Sequence, residues 1–242
     1  MIRAILIGHG RMGQMIEQTM AHAGDFELLG VVDVGLFEKP EDVPGQPDVL
    51  VDFSYPGNLE KALAFAVERE CPLVLGTTGY SDEQLAQIRG ASKKTAIVHS
   101  SNYSTGVALL VQALKQVAPK LMDSFDVEIV ETHHNKKADA PSGTAKLLVD
   151  AVDPDHAHSR VYGREGQVGA RGREIGIHAV RGGTVAGEHR VIFYGEDEVL
   201  EFKHSATSRQ IFVNGAVRAA RFAVGKPAGL YTMQHVMGEV KA

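Results

Sequence analysis

Five short apolar runs punctuate the first hundred residues: Ile5-Leu-Ile7, Leu28-Leu-Gly-Val-Val32, Val49-Leu-Val51, Leu73-Val-Leu75 and Ala96-Ile-Val98. Runs this short, without polar alternation, predict strands buried on both faces of a sheet. Between them, residues 12–23, 59–70 and 82–91 place apolar side chains at helical spacing. Strand and helix in alternation predict a parallel, doubly wound sheet. The connection 35–48 is the exception: it holds three prolines and little helical period, which predicts a loop with at most a short helical turn.

The pattern changes after a long helical stretch over 105–122. Residues 127–131, 174–180, 189–194 and 199–204 read as longer strands, several alternating in polarity, separated by Gly- and Glu-rich turns. This texture predicts an open mixed or antiparallel sheet. Residues 208–224 return to helix, with Ala216, Ala219, Ala220 and Ala223 permitting close packing. The expected fold class is α/β: a Rossmann-like dinucleotide-binding domain from 1–104 plus 208–242, and a second α+β domain over 105–207 built on an open mixed sheet.

Composition narrows the function by exclusion. The 242 residues are 44% hydrophobic and 23% charged, with a formal net charge of −5. That balance argues against a nucleic-acid or membrane-surface partner, both of which favour basic patches. No run approaches the ~18 apolar residues that suggest a membrane span. The opening residues read as a strand and not as a signal peptide, so a cytoplasmic protein is expected. Cys71 is the single cysteine; it precedes an apolar run and is expected to be a buried, inert thiol.

Gly8-His9-Gly10-Arg11-Met12-Gly13 follows the first strand and opens the first helix. In that context the glycines serve a tight turn, close backbone approach to a pyrophosphate, and helix–strand packing. Asp33, at the end of the second strand, is placed to accept hydrogen bonds from an adenosine ribose. A carboxylate there disfavours a 2′-phosphate, although Arg11 or Lys39 could compensate. Gly76-Thr77-Thr78 follows the fourth strand and Ser100-Ser101-Asn102-Tyr103 the fifth. Loops beyond the carboxyl ends of such strands line the ligand crevice, and both are candidates for the nicotinamide half.

The densest chemistry lies in Glu131-Thr-His133-His134-Asn-Lys-Lys137-Ala-Asp-Ala-Pro-Ser142-Gly143-Thr144. Histidines and lysines beside a helix N-terminus suit a small, multiply anionic molecule that must receive a proton. The bland alternatives are a solvated loop and simple helix capping. Zinc is disfavoured, because adjacent histidines lack a familiar ligand spacing and the lysines repel a cation; no metal is expected. The Arg181–His189 turn approaches either the active site or a subunit interface. Arg209 is a candidate for a substrate carboxylate, with a surface ion pair as its rival.

Taken together, these motifs make the chain resemble the dihydrodipicolinate reductase family, nearly end to end. The resemblance rests on the G-x-G-R-M-G opening, Gly76-Thr-Thr78, the Asn-aromatic-Ser segment, His133-His-x-x-Lys137-x-Asp-Ala-Pro-Ser-Gly-Thr144, Arg181 to His189, and Ser208-Arg through Arg218. It implies reduction of 4-hydroxy-tetrahydrodipicolinate with NAD(P)H, with loss of water, in lysine and diaminopimelate biosynthesis. It also implies a homotetramer whose second domain supplies the substrate site and the oligomer contacts. Carried over by position, His133 and Lys137 match the catalytic pair, with Lys137 the proton donor and His133 donor or acceptor. His134, Gly143 and Thr144 match the substrate set, to which the residue reading adds Ser142 and Arg209. Gly8, His9, Gly10, Arg11, Met12, Gly13, Asp33, Gly76, Thr77, Thr78, Ser100, Ser101, Asn102 and Tyr103 match cofactor positions. The connection after Asp33 is shorter than in many relatives, and no basic residue follows the acid, which favours NADH over NADPH. The rival readings are another dehydrogenase acting on a small anionic metabolite, and a non-catalytic dinucleotide sensor. The sensor has no use for His133, His134 and Lys137 together.

Overall fold

The computed structural model describes residues 1–238 and divides into two compact units, Met1–Thr105 continuing from Gln210, and Gly106–Arg209. In the first, β1 (Ile2–Ile7), β2 (Phe26–Val32), β3 (Val49–Asp52), β4 (Leu73–Leu75), β5 (Ala96–His99) and β11 (Gly229–Tyr231) form one sheet in the order β11-β5-β4-β3-β1-β2. Every pairing is parallel. The order reverses at β1, as in other doubly wound sheets that place ligands beyond the strand carboxyl ends. The strands are buried on both faces, with Ala4, Ile5, Leu6, Val49, Leu50, Val51 and Leu73 inaccessible to solvent.

Helices α1 (Arg11–His22), α2 (Leu59–Glu68), α3 (Asp82–Ala91), α6 (Gln210–Ala223) and α7 (Met233–Met237) cover this sheet. The expected helices recur within one or two residues of their predicted ends. Ser81 and Gln84 form a reciprocal capping box that fixes the start of α3. The proline-rich connection contains only a 3-10 turn at Pro40–Asp42. Cys71 is buried, and burial pushes its thiol up to about 12, as an inert core residue requires.

β11 and α7 were not foreseen. Gly229–Tyr231 is three residues long and follows a Lys-Pro-Ala segment, so it has neither the length nor the apolar run that marks a strand. Its pairing with β5 is a tertiary consequence of the return of α6. That return depends on Gly215: a Cβ there would lie 1.6 Å from the carbonyl oxygen of Tyr103. Of the small residues on this helix, Gly215 is thus the one with no room for a methyl group.

The second unit is a five-stranded mixed sheet. Strands β6 (Asp126–His133), β7 (Ser159–Tyr162), β8 (Glu174–Arg181), β9 (Gly187–Tyr194) and β10 (Val199–Ala206) lie in the order β10-β9-β6-β8-β7. The β7/β8 and β8/β6 pairs are parallel and the others antiparallel. Helices α4 (Thr105–Leu121) and α5 (Gly143–Val152) pack on one face. Val127, Ile129, Ile175, Ile177, Val191 and Phe193 meet Leu114, Leu148 and Val152 in that core. β7 escaped prediction because Ser-Arg-Val-Tyr lies at a sheet edge and carries no buried face. Among the described residues, no helix is long and apolar enough to cross a membrane.

Replacing Gly215 by Ala is expected to destabilise the protein by about 1–3 kcal/mol, the usual cost of overpacking a close contact. Urea unfolding of Gly215→Ala beside Ala219→Gly checks it; a stability equal to wild type for Gly215→Ala contradicts the close approach.

Candidate active site

The alternation of β6 places Val127, Ile129, Glu131 and His133 on one buried face. The face is apolar where it meets α4 and α5, then turns ionic over its last two inward positions. Register brings matching positions beside them: Glu131 pairs with His189 of β9, and His133 with Arg181 of β8. One end of the sheet therefore gathers a carboxylate, a guanidinium and two imidazoles.

Glu131 is fully buried. Its Oε2 accepts from His133 Nδ1 at 2.5 Å and from Arg181 Nη1 at 2.8 Å. Its Oε1 accepts from Arg181 Nη2 at 2.7 Å and from the Ser142 backbone N–H at 3.1 Å. Burial opposes ionisation, but the hydrogen bonds from Arg181 and His133 outweigh it and hold the carboxyl below its usual range. For His133 burial is the larger influence: it lowers the imidazole despite Glu131, and the Lys137 and Arg181 cations act in the same direction.

Ser142 joins this cluster to α5. It is the N-cap, and its hydroxyl oxygen accepts from the Ala145 N–H at 3.1 Å. The hydroxyl also meets His189 Nε2 at 3.1 Å. Pro141 immediately precedes the cap, and its peptide bond is cis. Gly143 opens the helix with no atom within 4 Å of where a Cβ would stand, leaving the N-terminal amides approachable. Thr144 is half-buried beside it.

Lys137 is half-buried and pairs with Asp139 at 2.8 Å, an interaction that holds the Asp139 carboxyl below its ordinary range. The turn carrying Lys137 is tied to the β8–β9 turn by Asn135 N–H to Gly183 O at 3.2 Å and Gly182 N–H to His133 O at 2.9 Å. His134 is half-buried with a buried Nδ1 that has no hydrogen-bond partner. Arg209 is exposed between β10 and α6 and takes no part in the hydrogen bonds of Glu131 given above.

The sequence left the Arg181–His189 turn open between active site and interface and gave Glu131 no role. The geometry places all three in one cluster. The signal was present: the inward period of β6 continues from Val127 through Ile129 to an acid and a histidine, which is costly unless partners await.

In the first unit, Gly8 has φ +94°, and a Cβ would lie 2.7 Å from Phe53 O and 2.8 Å from Ser54 Cα. A Cβ at Gly13 would lie 2.0 Å from the Gly8 carbonyl oxygen, so α1 sits tightly against the turn. Gly10 is the helix N-cap with open space before it. These are a cradle's features: close backbone packing behind, approachable helix amides in front. Arg11 is exposed at the helix start and Met12 half-buried beside it. The His9 ring Nε2 instead meets Glu17 at 2.7 Å, while the His9 backbone N–H donates to Asp33 Oδ2. Asp33 Oδ1 accepts from the Val34 N–H at 2.6 Å. Asp33 thus braces the glycine turn as well as facing a cavity of about 370 Å³ that Val34, Tyr55 and Lys61 also line. Lys39, one of the two cations the sequence offered for a 2′-phosphate, lies 3.9 Å from Asp42.

Thr77 is buried, its hydroxyl 3.3 Å from Asp52 Oδ1, whereas Thr78 is exposed. Gly76 is required by packing: a Cβ would lie 2.1 Å from the Phe53 ring. Asp52, unassigned from sequence, ends β3 fully buried; its Oδ1 also accepts from the Ser54 N–H and hydroxyl at 2.9 and 2.5 Å. Burial raises this carboxyl. Ser101 is exposed, while the Ser100 hydroxyl donates to Asn102 O at 2.8 Å. Tyr103 turns its side chain inward. Its ring is buried against Phe53, and its hydroxyl lies 2.8 Å from Leu75 O and 3.0 Å from Val98 O. The side chain supports the floor of the strand ends instead of offering itself to a cofactor.

Comparison with known proteins agrees over the whole chain. Residues 2–103 match the family description "Dihydrodipicolinate reductase, N-terminus", and residues 106–237 its C-terminal counterpart. A 4-hydroxy-tetrahydrodipicolinate reductase of Exiguobacterium is 43% identical over 244 residues, covering 98% of this chain and 96% of that protein. The Clostridium tetani enzyme of that name is 41% identical, with 96% of each chain covered. Among solved structures, the dipicolinate-bound dihydrodipicolinate reductase of Paenisporosarcina superposes with a TM-score of 0.78 at 26% identity, covering 96% of this chain and 97% of that one.

Burial lowers His189 to about 4, so the folded state keeps it neutral where an unfolded histidine, near 6.5, takes up a proton. Stability conferred by the neutral ring is complete above that unfolded value and declines as pH falls toward about 4. Between pH 7 and pH 5, wild type is expected to lose about 2 kcal/mol more than His189→Asn. Urea unfolding at both pH values measures the difference; parallel losses contradict a neutral, buried His189.

Proposed function

Because the chain belongs to the dihydrodipicolinate reductase family, we propose that it reduces 4-hydroxy-tetrahydrodipicolinate to tetrahydrodipicolinate with NAD(P)H. The observation that carries this reading is the meeting of His133, Lys137 and the N-terminus of α5 at one end of the second sheet. A small ring bearing two carboxylates needs that combination; a neutral ligand does not. The helix-start amides of Gly143 and Thr144 suit one carboxylate, and Lys137 and His134 supply cationic and hydrogen-bonding groups for the rest. The Paenisporosarcina relative binds dipicolinate, a flat dicarboxylate of the same class.

The dinucleotide, when bound, supplies the hydride. The turn of Gly8, Gly10 and Gly13 fits its pyrophosphate, Asp33 its ribose, and Gly76, Thr77, Thr78, Ser100, Ser101 and Asn102 the nicotinamide end. Loss of the 4-hydroxyl and a ring proton as water leaves a conjugated imine; hydride addition to it puts negative charge on the ring, and the Lys137 ammonium stabilises and then protonates it. His133 completes the pair.

NADH is the preferred cofactor in this proposal. A carboxylate at Asp33, beside the uncharged Val34 in the same cavity lining, disfavours a 2′-phosphate. The division of labour follows the two units, with substrate binding assigned to the second. That unit also offers an assembly surface for a homotetramer: Val180, Tyr194 and Val199 are exposed on the sheet.

Lys137→Ala and His133→Ala are each expected to lower kcat by ~10²-fold or more, with little change in cofactor affinity. The assay generates substrate in place with dihydrodipicolinate synthase and follows NADH or NADPH oxidation. Near-full turnover by either variant removes that residue from the chemistry, and no oxidation with either cofactor defeats the reading as a whole. Asp33→Asn keeps an oxygen for the turn amides but removes the charge, so it is expected to raise NADPH use relative to NADH. An unchanged ratio of kcat/KM values takes Asp33 out of the discrimination.

A further inference from the structure

Neither the family relationship nor the reaction states which nitrogen of His133 carries its proton, or what decides it. Nδ1 lies 2.5 Å from Glu131 Oε2. The guanidinium of Arg181 holds both oxygens of the same carboxylate, at 2.7 and 2.8 Å. An ionised carboxylate only accepts hydrogen bonds, so the imidazole nitrogen facing it must be the donor. The remaining nitrogen, Nε2, points at Gly187, where a Cβ would stand 3.0 Å away. Glycine at that position keeps the approach to Nε2 open.

Every element packed against His133 bears on its charge. Glu131 from β6 favours the cation; Arg181 from β8 and Lys137 from the following turn, with Asp139 as its counter-ion, oppose it. His189 from β9 meets its ring edge-on at 5.1 Å and is neutral. His189 in turn is held by Ser142, whose backbone N–H also donates to Glu131. The cations offset the single carboxylate, and burial disfavours a further charge.

We propose that Glu131 and Arg181 are positioning residues that lock His133 as the Nδ1–H tautomer, so that Nε2 presents a lone pair and His133 enters the reaction as an acceptor. The proton it takes is the one lost from the ring carbon between C4 and the imine as the 4-hydroxyl leaves, and that proton and the hydroxide make the water released. The inference rests on His133 taking part in the proposed reduction, and it decides between the donor and acceptor roles left open above. Lys137 remains the donor. Arg181 is needed because without it a buried Glu131 would take a proton and become a donor itself. The arrangement follows the logic by which a buried carboxylate fixes a catalytic imidazole's tautomer elsewhere.

Nitrogen-15 spectra of histidine-labelled full-length protein test this in the wild-type chain with no reliance on activity. Near pH 7 the His133 ring, assigned by its loss in His133→Ala, is expected to show a protonated Nδ1 and an unprotonated Nε2. A ring protonated at Nε2, or at both nitrogens, overturns the proposal. In Glu131→Gln, the amide oxygen serves Ser142 and Arg181 while the amide N–H₂ faces His133, so the tautomer is expected to shift toward Nε2–H and kcat to fall ~10²-fold. The same substitution in the His133→Ala background is expected to cost little further activity. An equal loss in both backgrounds marks Glu131 as merely structural and also overturns the proposal. Should the protein oxidise neither cofactor, the tautomer measurement still stands, so the two readings fail separately.

Discussion

A carboxylate with no contact to solvent governs the second unit. Glu131 lies on the core face of its strand, where an uncompensated charge costs several kcal/mol. Its hydrogen bonds from His133, Arg181 and Ser142 satisfy both oxygens. Each donor belongs to a different piece of structure, so the requirement is shared among β6, β8 and the start of α5. Satisfying one buried charge thereby fixes the relative placement of the His133 imidazole and the N-terminus of α5. Removing any one donor leaves the carboxylate short of partners and frees the element that carried it.

A similar device appears at the strand ends of the first unit. Asp52, also fully buried, ties the Ser54 turn to Thr77, while Asp33 ties its own turn to the amide of His9. Loops beyond parallel strands must be held in shape without regular secondary structure, and a carboxylate accepting N–H and O–H donors does this over a short reach. The glycines complete the arrangement by packing: Gly13 against Gly8, Gly8 against Ser54, and Gly76 against Phe53. Backbone proximity and buried acids together shape the surface offered to a dinucleotide.

Most of the fold was legible in the sequence because it was written in two periods. Uninterrupted apolar runs marked β1 to β5, and helical spacing marked α1 to α4 and α6. What escaped were elements defined by their neighbours. Gly229–Tyr231 is a strand because α6 returns it to β5, and Ser159–Tyr162 because β8 offers an edge. In the site, His133, Lys137 and the Ser142 cap lie within one contiguous stretch and could be read together. Arg181 and His189 lie about fifty residues further on, and only strand register brings them to Glu131. Tyr103 is the opposite case: its place in the loop after β5 is plain in the sequence, but only the fold shows that hydrogen bonds to Leu75 and Val98 hold its side chain in the core.

The distinction between those two cases has a physical basis. A local motif reports which groups are available; burial decides which of them face a ligand and which support those that do. In β6 the two can be separated by parity alone, since Glu131 and His133 continue the face of Val127 and Ile129 whereas Thr132 does not. An apolar stripe that ends in an acid and a base is therefore more informative than either residue singly. The hydrophobic part holds the strand rigidly against α4 and α5, and the ionic part inherits that rigidity at no separate cost in flexible loop. A proton acceptor built on such a strand keeps its orientation between turnovers, which is what a tautomer-specific role demands.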